Sequence, residues 1–354
     1  ERITKTNWNK QVMKVQTFSS TIRRKEMDAV LTCMVEEKIG PGESNTRLLQ
    51  LVKEYFGVDG GAAFRSPSIA LKYALKALDL PKESGIILSA LAPSWQILAV
   101  EDFGYKPLVI DVSPESALVS PESVHEAVQN GGRLLLLHET MGLVPNIQAL
   151  LDLGIPIIED ISHSAGATLG EKPAGNFGVF TILGLEEQDM LTAGGGAVLM
   201  APSRREWIVL KKHIDEAPST DILPDINCAL AYVQLKELNR NELLRREMYE
   251  MYIRSLLQGK HKTLIQQGEY AVQAVYSFPV VLSSGYKDVK QYAARKDIEI
   301  AQAFEKTIIA LREESLPHCV QAKSFLLRCA LFPLYPRLGL VQAAKIAKVL
   351  ATLP

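Results

Sequence analysis

The feature of this sequence that most constrains its fold is an alternation of short apolar runs with helix-like segments between residues 67 and 213. Continuously apolar strands that alternate with helices are typical of a largely parallel sheet covered on both faces. We therefore predict an α/β fold with a three-layer αβα large domain and a mainly parallel (mixed) sheet. The predicted strands are 86–90, 108–112, 134–138, 155–159, 179–183 and 197–200, and the predicted helices are 67–80, 94–103, 121–129, 146–153 and 203–213.

The pattern changes after about residue 225, where 225–257 is predicted to form one long helix. A chain of 354 residues exceeds what a single core usually serves. We therefore predict a large domain over 1–235, including an N-terminal helical segment, followed by an interdomain helix and a smaller C-terminal α+β domain over 236–354. Outside the alternating region we predict helices at 20–39, 46–56, 286–308 and 341–353 and a strand at 274–282.

Composition excludes several classes of function. The formal net charge is −1 and there is no long run of like charge, which argues against a nucleic-acid-binding protein. No apolar stretch approaches the ~20 residues that span a bilayer, so we expect no membrane-spanning segment. The four cysteines are widely scattered and the six histidines lack metal-ligand spacing, which favours reduced thiols, a cytoplasmic location and no metal site.

Several segments, taken in order, resemble the DegT/StrS-type sugar aminotransferases, which are fold type I enzymes that use pyridoxal phosphate (PLP). The most specific segment is PIIEDISHSAGA at 156–167. The others include IGPGESNTRLLQLVKEYFG at 39–57, SPSIALKYALKALD at 66–79, LTAGGGAVL at 191–199 and FPLYP at 332–336. The resemblance covers most of the chain, and it implies a homodimer, a nucleotide-sugar or other small-molecule ligand and a cofactor site for PLP or its amine form (PMP).

The resemblance also assigns candidate cofactor contacts. Asp160 occupies the position whose carboxylate faces the pyridine nitrogen, and His163 the position that contacts the ring hydroxyl. Ser68 matches the phosphate donor at a helix N-terminus, and Trp95 lies two residues from the position of the stacking aromatic ring. Each residue also has a purely structural interpretation. Asp160 and Ser68 could cap the segments that follow them, His163 could be a partly buried histidine satisfied by the backbone, and Trp95 could be a core residue.

The catalytic lysine of the family is absent from its expected position. Alignment from either side places Gln188 or Asp189 there, and no lysine occurs between Lys172 and Lys211. Neither an amide nor a carboxylate can form the imine that this chemistry requires. The hydroxyl that binds the cofactor phosphate is also replaced, by Leu183 or Gly184.

Three functional hypotheses follow. The first is a catalytically degenerate homologue that binds a ligand or partner and holds no covalent PLP. The second is a PLP/PMP-dependent nucleotide-sugar aminotransferase or dehydratase of surface polysaccharide biosynthesis, in which His163 or His138 moves the proton. The third is an aminotransferase with a displaced lysine. Two further motifs have structural alternatives: His138 with Glu139 as an acid–base pair, and Gly194 to Gly196 as a phosphate cradle.

Overall fold

The computed structural model describes residues 14–266 and 270–354. Within these ranges the predicted helices occur in the predicted order, with most boundaries displaced by a few residues, and two further short helices that were not predicted lie between residues 308 and 328. They are α1 (Arg24–Val35), α2 (Glu43–Phe56), α3 (Pro67–Leu78), α4 (Ser94–Asp102), α5 (Pro121–Gln129), α6 (Ile147–Leu151), α7 (Arg204–Asp215), α8 (Asp225–Lys236), α9 (Leu238–Leu256), α10 (Tyr286–Ala294), α11 (Ile308–Arg312), α12 (Val320–Arg328) and α13 (Gly339–Leu350). In the described part of the chain, no helix is long and apolar enough to cross a membrane.

The strands form one large sheet and two small ones. They are β1 (Gly60–Phe64), β2 (Gly85–Ser89), β3 (Lys106–Ile110), β4 (Gly132–His138), β5 (Ile157–Asp160), β6 (Thr168–Leu169), β7 (Lys172–Pro173), β8 (Phe180–Gly184), β9 (Ala197–Ala201), β10 (Ala271–Val272), β11 (Phe278–Val281), β12 (Ala301–Gln302) and β13 (Cys329–Phe332). The seven-stranded sheet has the order β1-β9-β8-β5-β4-β2-β3. Its pairs from β8 to β3 are parallel, and β9 runs antiparallel to both of its neighbours.

Two apolar cores lie on the two faces of this sheet. Strand β2 shows the division, because Ile86 and Leu88 belong to the first core and Ile87 to the second. Helices α3, α4 and α7 contribute to the first core, and α2, α5 and α8 to the second. The mixed, mainly parallel sheet between helical layers confirms the predicted α/β fold.

A third core lies in the C-terminal part of the chain. Helices α9 and α13 pack against each other and against the antiparallel sheet β11-β13-β12. Helices α11 and α12, by contrast, contribute Ile308 and Phe325 to the first core beside the large sheet. The division of the chain at residues 235 and 236 stays a prediction.

Two of the predicted helices are wrong in extent. The helix predicted over 225–257 is two helices that meet at Glu237, because α8 packs on α1 and α2 whereas α9 packs on α13. The helix predicted over 286–308 ends at Ala294, and Asp297 adopts a left-handed φ of 57°. The chain then extends so that Ile298 and Ile300 enter the third core.

Candidate functional site

The carboxyl ends of the central parallel strands open onto a cavity of about 600 Å³. This is where open α/β sheets bind ligands. The N-termini of α3 and α4 form one wall, and the loop after β8 forms another. A third wall comes from the C-terminal part of the chain. Its residues are Tyr276, Ala301, Gln302, Ala303, Phe304, Glu305, Lys306, Thr307 and Leu331.

Asp160 ends strand β5 and is fully buried behind the cavity-lining residues His138 and Ser162. Its Oδ2 accepts hydrogen bonds from Gln96 Nε2 at 2.7 Å and His138 Nδ1 at 3.0 Å. Its Oδ1 accepts from the backbone N–H of Ser162 at 3.1 Å and from the Ser162 hydroxyl. Burial raises the pKa of Asp160, but the charge of His138 and these hydrogen bonds outweigh burial and hold the pKa below its usual value. Asp160 is therefore an ionised carboxylate whose hydrogen bonds are all made to protein groups.

His163 lines the cavity and stacks on Tyr276, with ring centroids 3.9 Å apart and planes inclined by 15°. It also meets the ring of His138 edge to face, with centroids 4.7 Å apart. Its Nδ1 is buried and has no hydrogen-bond partner among the described residues. Burial and the charge of His138 lower the pKa of His163 to about 3, so its imidazole is neutral at physiological pH. A neutral imidazole with a free ring nitrogen is available to accept or donate one hydrogen bond.

The loop after β8 brings both candidates for the lysine position to the cavity. Asp189 Oδ2 accepts a hydrogen bond from the backbone N–H of Glu186 at 2.8 Å. Burial raises the pKa of Asp189 to about 8. A Cβ on Gly184 would lie 2.3 Å from Asp189 Oδ2 and 2.4 Å from Ser162 Oγ. A larger residue at position 184 would therefore displace the side chains of Asp189 and Ser162 from these positions.

Gln188 is exposed and is held by two contacts from the C-terminal part of the chain. The Tyr276 hydroxyl donates to its backbone carbonyl at 2.8 Å. The Lys306 ammonium lies 3.4 Å from its Oε1. Lys306 is the one lysine that lines the cavity among the described residues, and it is exposed.

Ser68 and Trp95 both line the cavity from helix N-termini. The cap of α3 is Ser66, whose Oγ accepts from the backbone N–H of Ile69 at 3.2 Å, so Ser68 is not the cap. Trp95 is half-buried and packs against the first core, which agrees with its structural alternative and leaves one side toward the cavity.

A buried pair of carboxyl groups lies near Asp160. Glu159 is fully buried and accepts hydrogen bonds from the backbone N–H groups of Gly175 at 2.9 Å, Phe177 at 2.6 Å and Gly178 at 2.5 Å. Glu139 is also fully buried, and neither of its Oε atoms has a geometrically good hydrogen-bond partner among the described residues. Burial and the charge of Glu159 raise the pKa of Glu139 well above its usual value. Burial and the neighbouring carboxylate therefore favour the protonated form of Glu139.

The two weaker sequence motifs resolve as structural features. His138 pairs with Asp160, and no hydrogen bond joins it to Glu139 in the described ranges, so the two do not form an acid–base pair. The glycines at 194–196 form the turn before β9, where the backbone N–H of Gly196 donates to Glu186 at 3.2 Å. A carboxylate occupies this turn, which makes it a poor phosphate cradle.

Sequence reasoning missed three residues that shape the site. Gln96 donates to Asp160, Tyr276 stacks on His163, and Lys306 contacts Gln188. Gln96 stands between Trp95 and Ile97 in α4, and an amide among apolar neighbours is a weak but readable signal. Tyr276 and Lys306 reach the cavity through contacts that span 88 and 118 residues of chain, which no local pattern reveals.

Comparison with known proteins gives a consistent result. The model of the DegT/DnrJ/EryC1/StrS aminotransferase family matches residues 20–351. The fold is shared with a sugar aminotransferase, Spr1654 from Streptococcus pneumoniae in its PLP form (TM-score 0.84, 16% identity, 93% of this chain and 96% of that chain). It is also shared with the E. coli GDP-4-keto-6-deoxy-D-mannose-3-dehydratase with bound hydrated PLP (TM-score 0.84, 16% identity, 96% and 99%). A third match is DesV of S. venezuelae in complex with a ketimine intermediate (TM-score 0.83, 18% identity, 92% and 93%). Since the family model spans nearly the whole chain, this protein belongs to the DegT/DnrJ/EryC1/StrS aminotransferase family.

Proposed function

We propose that this protein is a catalytically degenerate member of its family, which binds a small ligand in the cavity and does not form an internal aldimine with PLP. The observation that carries the proposal is the pair Gln188 and Asp189 at the lysine position. Gln188 has an amide, and Asp189 a carboxyl group that packs against Gly184. Neither side chain supplies the primary amine that imine formation needs.

The residues around the cavity do not fit PLP. Asp160, the carboxylate that the family directs at the pyridine nitrogen, is fully buried and already accepts bonds from Gln96, His138 and Ser162. On the phosphate side, Pro67 has no backbone N–H to donate. The nearby loop carries Glu186 and Glu187, whose charges repel a phosphate dianion.

Lys306 is the residue that most directly challenges this proposal, because its amine lies at the cavity. The decisive experiment is incubation with PLP, borohydride reduction and peptide mapping. We expect no adduct on the peptide that contains Lys306 and no imine absorbance. Gln188→Lys and Asp189→Lys serve as matched controls, because each places a primary amine at the family's lysine position. A stoichiometric adduct at Lys306 that Lys306→Gln abolishes would show a displaced catalytic lysine and overturn the proposal.

A second candidate function is a PLP/PMP-dependent nucleotide-sugar aminotransferase or dehydratase in surface polysaccharide biosynthesis. The observation in its favour is the neutral His163, whose unpaired Nδ1 lies beside the cavity. Two of the solved structures with this fold are GDP-4-keto-6-deoxymannose 3-dehydratases. Titration with PMP, followed by absorbance, tests it: saturable micromolar binding would favour this function over the degenerate one.

We further propose a homodimer. Helix α1 exposes Met27, Leu31 and Met34 at spacings of four and three residues, and each of these side chains is 55–56% exposed. Contiguous apolar surface of this kind marks a protein contact. The partner is a second copy of this chain, as the family resemblance implies.

A further inference from the structure

The cavity walls carry an excess of negative charge. Three exposed glutamates line it, Glu186, Glu187 and Glu305, against the single ammonium of Lys306 among the described lining residues. These groups have a formal charge of −2 before Asp189 is counted. Lys306 lies beside the neutral amide oxygen of Gln188 and forms no ion pair with a described carboxylate.

Two of these carboxylates have no partner among the residues that the structure describes. Glu186 accepts from Gly196, but Glu187 and Glu305 make no hydrogen bond or ion pair with the side chains and backbone groups of the described residues. They are exposed at the cavity, so water satisfies them until a ligand displaces it. A cationic ligand gains attraction from both, while an anionic one meets repulsion.

A second, independent feature lies deeper in the cavity. Thr140 lines it, is only 1% exposed, and its Oγ1 has no hydrogen-bond partner among the described residues. A buried hydroxyl without a partner is costly, and a ligand N–H removes that cost when the hydroxyl accepts from it. His163 lines the same cavity and has an unpaired Nδ1. Both groups can accept a hydrogen bond from an N–H donor.

Aromatic rings complete the wall. Trp95 and Tyr276 line the cavity, and although His163 covers one face of Tyr276, aromatic faces of this kind attract an ammonium or guanidinium group. The volume of about 600 Å³ suits a molecule of one to two rings. Carboxylates at the mouth, aromatic rings on the walls and hydrogen-bond acceptors at depth are together the features of a site for an organic cation.

We propose that the cavity binds a small organic cation, an amine or guanidinium compound with an apolar or aromatic body, in preference to a phosphate ester. This inference rests on the proposed ligand-binding function and names its ligand class. It also departs from the phosphorylated cofactor that the family resemblance implies. The carboxylates act as counter-charges for the ligand, and Lys306 opposes its binding.

The test compares three probes that share one ring: benzylamine, benzyl alcohol and phenyl phosphate. Isothermal titration calorimetry of the full chain at low ionic strength and pH 7 should show benzylamine binding about ten-fold more tightly than benzyl alcohol, since two to three weak ion pairs add up to that factor. Phenyl phosphate should bind most weakly. High salt should reduce the benzylamine preference, because the carboxylates at the mouth are exposed.

Two variants of opposite charge sharpen the test. Glu187→Gln should weaken benzylamine binding about two- to five-fold, and Lys306→Gln should strengthen it by a similar factor. Glu126→Gln, an exposed change on α5 outside the cavity lining, serves as the matched control and should change neither. Opposite shifts from two exposed positions cannot arise from a shared loss of folding.

Three results would overturn the inference: phenyl phosphate binding more tightly than benzylamine, the two charge variants shifting affinity in the same direction, or no binding of any probe at millimolar concentration. None of them depends on imine formation. An adduct at Lys306 would refute the degenerate function without deciding the charge preference, so the two proposals fail separately.

Discussion

Replacement of Glu139 by glutamine should stabilise the protein relative to the native chain, by an amount that grows as the pH rises. Glu139 is 0% exposed, and its pKa is raised well above the usual value, first by burial and then by the charge of Glu159. In the unfolded chain a glutamate titrates near pH ~4.3. Above that pH the unfolded state releases a proton that the folded state retains, so folding becomes less favourable with increasing pH.

The magnitude follows from proton linkage. One proton held in the folded state alone costs about 1.4 kcal/mol of unfolding free energy per pH unit between the unfolded and folded pKa values. Between pH 5 and pH 8 this amounts to at most about 4 kcal/mol. Glutamine at position 139 has no proton to lose, so Glu139→Gln removes this decline while it preserves the shape of the side chain.

Urea unfolding of the native chain and of Glu139→Gln at pH 5, 6, 7 and 8 measures the effect. The difference in unfolding free energy should be small near pH 5 and should grow in favour of the variant toward pH 8. Taking the difference cancels titrating groups that respond alike in both proteins, such as Asp189, whereas Glu159, which interacts with Glu139, remains part of the measured effect. Glu126→Gln, which is exposed, should give a curve parallel to that of the native chain. Parallel curves for Glu139→Gln would show that Glu139 is not a protonated buried acid.

Three further outcomes are expected. In urea unfolding, Gly142→Ala should lower the unfolding free energy by about 2–4 kcal/mol, because the φ of Gly142 is +83° and the new Cβ would lie 2.1 Å from the Ala274 carbonyl oxygen. Gly154→Ala is the control: its φ is +73° but the space around it is open, so the same measurement should show a loss of only about 1 kcal/mol. Asp160→Asn should lower the unfolding free energy by about 3–5 kcal/mol at pH 7, because it breaks a buried pair with His138. The difference should shrink at acid pH, because a carboxyl with a lowered pKa stabilises the fold only while it is ionised. Leu31→Glu should convert a dimer into a monomer by light scattering at micromolar concentration, and an unchanged dimeric mass would exclude α1 from the interface.

The architecture could be predicted from the sequence because its strands are locally encoded. Strands β2, β4 and β8 consist wholly or almost wholly of buried positions, and such strands are recognised from a few consecutive residues. Strand β1 escaped prediction, since Gly60–Phe64 begins with two glycines and has little apolar bulk. The end of α8 also escaped it. Apolar periodicity continues through Glu237, and only the different packing partners of α8 and α9 separate the two helices.

The candidate site was predictable in part for the same reason. Asp160, His163, Gln188 and Asp189 lie at or just beyond strand ends of the parallel sheet, and topology brings strand ends together whatever their separation in sequence. The surroundings that decide their chemistry come from elsewhere.

Tyr276 and Lys306 belong to segments of the C-terminal part, which also brings Gln302 of β12 and Leu331 of β13 to the cavity. The absence of any lysine between Lys172 and Lys211 can be read from the sequence, whereas the acidic character of the cavity emerges only when Glu305 and Lys306 are placed opposite Glu186 and Glu187. The charge preference of a pocket depends on all the charged side chains in its walls, and these come from distant segments of the chain. A substitution in one wall can therefore change which ligand is preferred without changing the fold.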